Sequence, residues 1–417
     1  MLRQIKHKIG NYLPALRSPN YRLYFVGQGI SLVGTWIQNV AEAWLIYPIL
    51  TGQQALLGII SAINLAPHFL LVLFAGVIVD RLPRRKALIF QQLLYASLAF
   101  TMFLLVYTKT VQVWHVMTIA FCFGIVFAFE MPTRQSLMMN LVKKKDYPSA
   151  ISLNAAIYNI ARSIGPALAG ISIATIGISP AYLINSLSFL AVIVAVILMR
   201  LPREIRPTGS IDFRAGFRES FTFFKLNNII VILLGILLLV TLFTWPLATL
   251  LPVFAKDVFH KGELGFGLLQ TAFGIGALIG ALCFSKLFSA VHDKAKLLKI
   301  SFLTQFLAIL FFSLSPWFIG ALVAQVVNGL VTQTVISSCN TLIQLATPDN
   351  LRGRMLSFYS FVLVGGMPFG ALLGSLGIAT VGPRSTVGIC AIAYLAAIWL
   401  LINFRKNYFQ AELKEMV

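Results

Sequence analysis

Apolar and polar residues fall into long blocks along this chain rather than alternating with a short period. Apolar runs cover residues 22–49, 55–79, 86–108, 112–142, 149–178 and 180–200, then 228–256, 264–289, 295–314, 316–346, 352–381 and 385–404. About 20 predominantly apolar residues in a helix cross a hydrocarbon core roughly 30 Å thick, so each run predicts one membrane-spanning helix. The longest polar stretch, Leu201 to Asn227, separates the first six from the last six. It carries Pro202, Pro207 and Gly209 and a Phe213, Phe217, Phe221 ladder, which predicts a cytoplasmic linker containing an interfacial helix. The domains expected are a six-helix half at 1–200, a linker at 201–227 and a second six-helix half with a short tail at 228–417.

Composition agrees with a protein solvated by lipid. Hydrophobic residues make up 58% and charged residues only 11%, which excludes an ordinary water-soluble domain. The net charge of +20 raises nucleic acid as a partner, and the positions of the charges answer it. With Met1 cytoplasmic and twelve spans, 26 of the 33 Lys and Arg fall in cytoplasmic segments; only Lys109, Lys256, Lys261 and Arg384 fall in external loops. That bias is the positive-inside pattern and predicts both termini in the cytoplasm, with the bilayer as partner and no nucleic acid. The first twenty residues hold no separate short apolar core with a cleavage site, so the first span is expected to insert the chain. Cys122, Cys283, Cys339 and Cys390 stand singly in apolar runs and read as packing residues; no metal or cofactor site is expected.

The two sets of six runs resemble each other. Thr35-Trp36 and Thr244-Trp245 lie 209 positions apart in the first run of each set, and Leu57-Gly58 matches Phe266-Gly267 at the same offset. Ile173 to Gly177 echoes Ile378 to Gly382, 205 apart. A 6+6 duplication would put a binding site between the halves near the bilayer midplane.

Between the second and third runs stands Gly76-Val-Ile-Val-Asp80-Arg81-Leu-Pro-Arg84-Arg85-Lys86. One reading is a cytoplasmic turn that only anchors two spans. The other is that the turn resembles the loop after the second helix of major facilitator superfamily transporters, G-x-x-x-D-R-x-G-R-R, with Pro83 where the commonest form has glycine. That resemblance implies an all-α integral membrane fold of twelve transmembrane helices in two six-helix pseudo-repeats. It also implies a charge network in which Gly76, Asp80, Arg81, Arg84 and Arg85 join Glu130 and Arg134 in closing the cytoplasmic side. Glu130 and Arg134 are four apart, so an internal ion pair is the simpler alternative.

Further along, Asn159-Ile-Ala-Arg162-Ser-Ile-Gly165-Pro166-Ala-Leu-Ala-Gly170 resembles the fifth-span antiporter motif of facilitator exporters. Glycine-rich helix packing without antiport is the competing reading. Ala161 and Ser152 stand where the long form has glycines, and Gly365 to Gly374 supplies a second Pro-Gly cluster in the eleventh run. With Glu130 to Gln135 and Gly34-Thr-Trp36-x-Gln38, the first half is similar to the branch containing the enterobactin exporter and drug-type effluxers. The arginine of the facilitator fourth-span motif is missing, since Phe121-Cys-Phe-Gly124 offers no basic group.

An ionisable group inside a span costs about 2.5–3.5 kcal/mol on insertion scales, so each asks for a partner or a role. Glu42 has no basic residue three or four positions away. It reads as a proton carrier, with Glu130 as second candidate, or as a carboxylate reaching water at the external interface. Among the polar and aromatic span residues, Gln28, Trp36, Asn39, His68, Phe127, Trp245, Gln270 and Gln333 are candidates for a pocket suited to an amphiphilic molecule. His68 beside Pro67 also fits a hydrogen-bonded structural histidine.

No H-E-x-x-H, G-x-S-x-G or P-loop occurs, which removes the common hydrolase, metalloprotease and ATPase signatures. A membrane enzyme or sensor is left as the second class. The expectation is a monomeric secondary transporter in the bacterial cytoplasmic membrane, exporting a small amphiphilic molecule, siderophore or drug-like, in exchange for protons. The alternatives are import of a nutrient or ferric siderophore, and flipping of a lysophospholipid-like substrate.

Overall fold

The computed structural model describes residues 14–200, 222–291, 293–348 and 351–404. Among these residues it is built from helices alone. Twelve long ones follow in order: α1 Pro19–Trp44, α2 Ala55–Arg81, α3 Arg84–Tyr107, α4 Val113–Leu141, α5 Tyr147–Ile176, α6 Ser179–Leu198, α7 Asn228–Val253, α8 Gly262–Ala290, α9 Lys294–Leu314, α10 Phe318–Leu345, α11 Arg352–Val381 and α12 Pro383–Phe404. Each coincides with one apolar run of the sequence to within a few residues. Nine of them are long and apolar enough to cross a membrane; the Phe213 to Phe221 ladder and both chain ends lie outside the described residues.

Local chemistry fixes the helix starts. The Ser18 hydroxyl accepts from the Tyr21 amide at 3.3 Å and donates to the Leu141 carbonyl at 2.6 Å, so one side chain caps α1 and ties it to the end of α4. Asn227 and Asp293 cap α7 and α9 in the same way, through the Ile230 and Lys296 amides. The first helix of each set departs from regular geometry at its far end. Past Trp44 the chain winds as a π-helix over Leu45–Thr51 with Pro48 inside it, and past Val253 as another over Phe254–Val258, just after Pro252. A proline removes a donor from the helical ladder, and wider turns are one way the backbone absorbs the loss.

Within the first six helices α1 packs on α5 and α6, α2 on α4, and α3 on α6; among the last six, α7 packs on α11 and α12, α8 on α10, and α9 on α10 and α12. The two sets meet mainly along α2–α11 and α5–α8. The sequence repeats recur as repeated packing. A Cβ on Gly165 of α5 would stand 2.5 Å from the Trp36 Cβ of α1, and one on Gly370 of α11 would stand 2.9 Å from the Trp245 Cβ of α7. In both places a glycine lets the backbone close on the same tryptophan of the first helix of its set.

The cores differ between the two ends of the bundle. One end carries the basic turn before α3, the Lys143 to Lys145 turn before α5 and the start of α9; we call it the basic end. At the opposite end a single core runs through both sets, joining Trp44 and Leu45 to Leu250, Phe254, Phe266 and Ile378. At the basic end there are separate cores, one drawn from the first six helices around Tyr21, Tyr24, Leu88 and Leu137, and one from the last six around Leu233, Leu298, Val335 and Tyr394.

Candidate functional site

Midway along α5, exposure separates two faces. Ile160, Ile164, Leu168 and Ile171 are exposed along one face, as expected of a surface turned to lipid. A second exposed strip, Ile151, Ala155 and Tyr158, is confined to the half of α5 nearest the basic end. Its steps of four and three residues keep it on one side of the helix. The next position is Arg162, half-buried, and beyond it the same side is buried at Ala169 and Ile173. The strip therefore lines a crevice that opens at the basic end and closes just past Arg162.

Three helices form the closed end. The Arg162 guanidinium lies 4.5 Å from the Phe273 ring centroid on α8 and 5.6 Å from that of Trp36 on α1. Trp36 in turn meets Tyr158 edge-on at 5.9 Å. Contacts of an arginine with two rings contribute about 0.5–2 kcal/mol each and leave its five donors free. Among the described residues Arg162 has no hydrogen-bond or carboxylate partner. Gln270 lies three residues from Phe273, on the same side of α8.

The other candidate charges are arranged differently. Arg134 Nη1 and Glu130 Oε1 form an ion pair of 2.9 Å within α4. Tyr24 of α1 stands beside Arg134, and Tyr95 of α3 is within electrostatic reach of Glu130, so the pair is enclosed by the first six helices. Arg85 donates to the Ile197 carbonyl at 2.7 Å, which pins the basic turn to the end of α6. Gly76, Asp80 and Arg81 fall in the last two turns of α2, and the Asp80 and Arg81 side chains lie outside the described residues. Glu42, near the end of α1 and partly buried, has no hydrogen-bond or ion-pair partner among the described residues; Tyr182 of α6 is its polar neighbour.

The predicted pocket residues lie in varied surroundings. The His68 ring is fully buried, 4.4 Å from Phe127 between centroids, and its Nδ1 has no hydrogen-bond partner among the described residues. Gln28 is buried on α1, and Asn39, eleven residues on and so on the same side of the helix, is exposed. Gln333 bonds Ser337 at 3.1 Å along α10. Neighbouring amides hold helices together. Gln38 bonds Asn185 at 2.7 Å, Gln91 bonds Thr133 at 3.0 Å, and Tyr394 and Thr332 both bond the fully buried Gln305, at 2.7 and 2.8 Å. Such pairs satisfy polar groups where lipid cannot.

Sequence reasoning missed a polar clasp at the opposite end. The Tyr47 hydroxyl, on the first π-helix, donates to Asp257 Oδ2 on the second, and Gln54 Nε2 reaches the same oxygen at 3.3 Å and the Tyr47 hydroxyl at 3.1 Å. Lys256 Nζ donates to the Pro48 carbonyl at 3.4 Å and lies 5.1 Å from the Tyr47 ring. The signal available was Pro48 and Pro252, each near the end of the first run of its set.

Comparisons with known proteins bear on this arrangement. Residues 10–416 match the family model described as transmembrane secretion effector. The staphyloferrin A transporter of Staphylococcus aureus (strain NCTC 8325 / PS 47) is 26% identical over 405 residues, spanning 94% of this chain and 98% of that one. Macrolide efflux protein A of Streptococcus pyogenes is 23% identical over 365 residues, 86% of this chain and 90% of its own. Among solved structures, a bacterial homolog of the human lysosomal transporter Spinster, inward-facing and unoccupied, superposes with a TM-score of 0.72 at 13% identity, covering 95% of this chain and 98% of that one.

Proposed function

The chain belongs to the major facilitator superfamily, in the family of transmembrane secretion effectors, and from that premise we propose that it exports a small amphiphilic molecule by alternating access, in exchange for protons. Its relatives are membrane transporters, and the names of two of them, for staphyloferrin A and for macrolides, support a siderophore or drug-like cargo. The observation that carries the reading is the contrast between the ends. One core shared by all twelve helices at the opposite end, against separate cores at the basic end, is the shape of a carrier open to one side. The six-helix halves rock about the α2–α11 and α5–α8 contacts, and the clasp of Tyr47, Gln54 and Asp257 holds the opposite end shut until they do.

The surplus of Lys and Arg supports an orientation with the basic end and both termini in the cytoplasm of a bacterial inner membrane; a monomer belongs to the same reading. Glu42 carries the proton, because it is a partly buried carboxyl inside a span and without a hydrogen-bond or ion-pair partner among the described residues, whereas Glu130 is held by Arg134. One proton moving down 100 mV releases about 2.3 kcal/mol, enough for a roughly fiftyfold gradient of a neutral cargo.

Small molecules in cells and spent medium of a deletion strain and its complemented parent, with and without iron, test the direction. Export requires a metabolite retained by the deletion and missing from its medium; one left unconsumed in the medium would mean uptake instead. Glu42→Gln should flatten the dependence of transport on external pH, and an unchanged profile would remove Glu42 from coupling.

A further inference from the structure

We propose that Arg162 is the recognition point for a carboxylate carried by the transported molecule, so that the cargo is a single negative charge at this contact and aromatic or apolar beside it; the proposal rests on the transport reading above. Arg162 ends an exposed strip of α5, so an entering molecule meets the guanidinium where the crevice stops. Trp36 and Phe273 flank the cation without supplying an acceptor, the Tyr158 hydroxyl one turn back on α5 lies within electrostatic reach, and none of the described residues hydrogen-bonds the planar donor fork. A carboxylate matches that fork with two parallel hydrogen bonds, and the two rings offer apolar walls on either side.

The internal repeat separates this role from packing. The offset of 205 that relates Gly165 to Gly370 relates Arg162 to Met367, which is half-buried like Arg162. Both glycines receive a tryptophan from the first helix of their set, so the local helix packing forms around an unbranched apolar side chain as well as around an arginine. The cation is thus an addition to the repeat, present on one side of the molecule. Its charge also bounds the ligand. One guanidinium balances one negative charge, and a phosphate monoester would leave a second charge uncompensated in a poorly hydrated site.

Full-length protein in lipid nanodiscs, probed with salicylate against salicylamide and 1-naphthoate against 1-naphthamide, tests the assignment through shifts in the thermal unfolding midpoint. At least one carboxylate should stabilise the wild type while its neutral counterpart does not, Arg162→Lys should keep part of the shift, and Arg162→Gln and Arg162→Met should lose it. Equal stabilisation by the neutral compounds, no stabilisation by either carboxylate, or a shift that survives in Arg162→Gln would overturn the proposal. An Arg162-dependent shift with short-chain phosphatidylglycerol and with neither carboxylate would also overturn it, making a lipid headgroup the ligand.

Cells carrying wild type, Arg162→Met or empty vector separate this proposal from the one beneath it. Arg162→Met, which copies the repeat-related position, should reach the membrane at normal levels and export the wild-type cargo about tenfold less, the loss expected for a charge-assisted contact. If the wild type exports a metabolite that lacks a carboxylate, or that Arg162→Met exports equally, the Arg162 assignment falls and transport stands. If no metabolite distinguishes wild type from empty vector, the transport reading itself falls.

Discussion

The opposite end of the bundle and the basic end are built from the same twelve helices and held together by different means. At the opposite end a continuous apolar core crosses from the first six helices to the last six, and a tyrosine, a glutamine and an aspartate close over it. At the basic end each set of six keeps its own core, and polar ties such as Arg85 to Ile197 stay within a set. The difference teaches where conformational energy is stored. Separating the opposite end exposes apolar surface at roughly 25 cal/mol per Å² and breaks a charge-assisted hydrogen bond, whereas among the described residues no single core at the basic end spans the two sets.

The sharpest way to break this comparison is to prevent the opposite end from closing. A side chain on Gly267 would put its Cβ 2.5 Å from the Pro166 carbonyl oxygen of α5, and backbone cannot yield as a side chain can. Gly267→Leu should therefore lower transport by about tenfold or more at normal membrane levels, through overpacking of the closed contact. A normal rate would show that α5 and α8 need not meet this closely in the cycle.

The next test acts at the basic end. By the resemblance of the turn before α3, Asp80→Asn should cut transport by about tenfold with little change in cargo affinity, since a gate rather than a pocket would be damaged. Loss of affinity in step with rate would count against a gating role.

A smaller effect is expected from the clasp. Asp257→Asn should loosen the opposite end by about 1 kcal/mol, a moderate value because the group is partly exposed. With the native cysteines replaced, a cysteine at Gln270 should then react about fivefold faster with an impermeant maleimide added outside. Unchanged reactivity would mean that the apolar core alone keeps this end closed.

The smallest effect should come from a tie that crosses neither end. Tyr394→Phe removes a bond to the fully buried Gln305 within the last six helices, which should cost about 1 kcal/mol of stability and change transport less than about twofold. A large transport defect would extend the moving region into the interior of one set.

Much of the fold was legible in the sequence because a bilayer leaves few ways to satisfy a backbone. The run at 352–381 became α11 over Arg352–Val381, and the run at 295–314 became α9 over Lys294–Leu314. The run at 22–49 was read as one helix, yet α1 stops at Trp44 and a π-helix follows, since apolar character does not distinguish the two windings. The site was less legible. Glu130 and Arg134 declared their pairing by their spacing, but polarity alone named His68 and Gln333 without telling that His68 packs on Phe127 or that Gln333 bonds Ser337.

Residue types and their order by themselves determined the membrane as solvent, twelve spans, a break between sixes and a basic side, because each follows from transfer energies summed along the chain. Only tertiary structure decided that Asp257 meets Tyr47 from 210 positions away, that Arg162 ends a crevice between Trp36 and Phe273, and that one end is shared while the other is divided. Those depend on which faces of which helices meet, and a helix carries its lipid-facing and partner-facing apolar residues in the same alphabet.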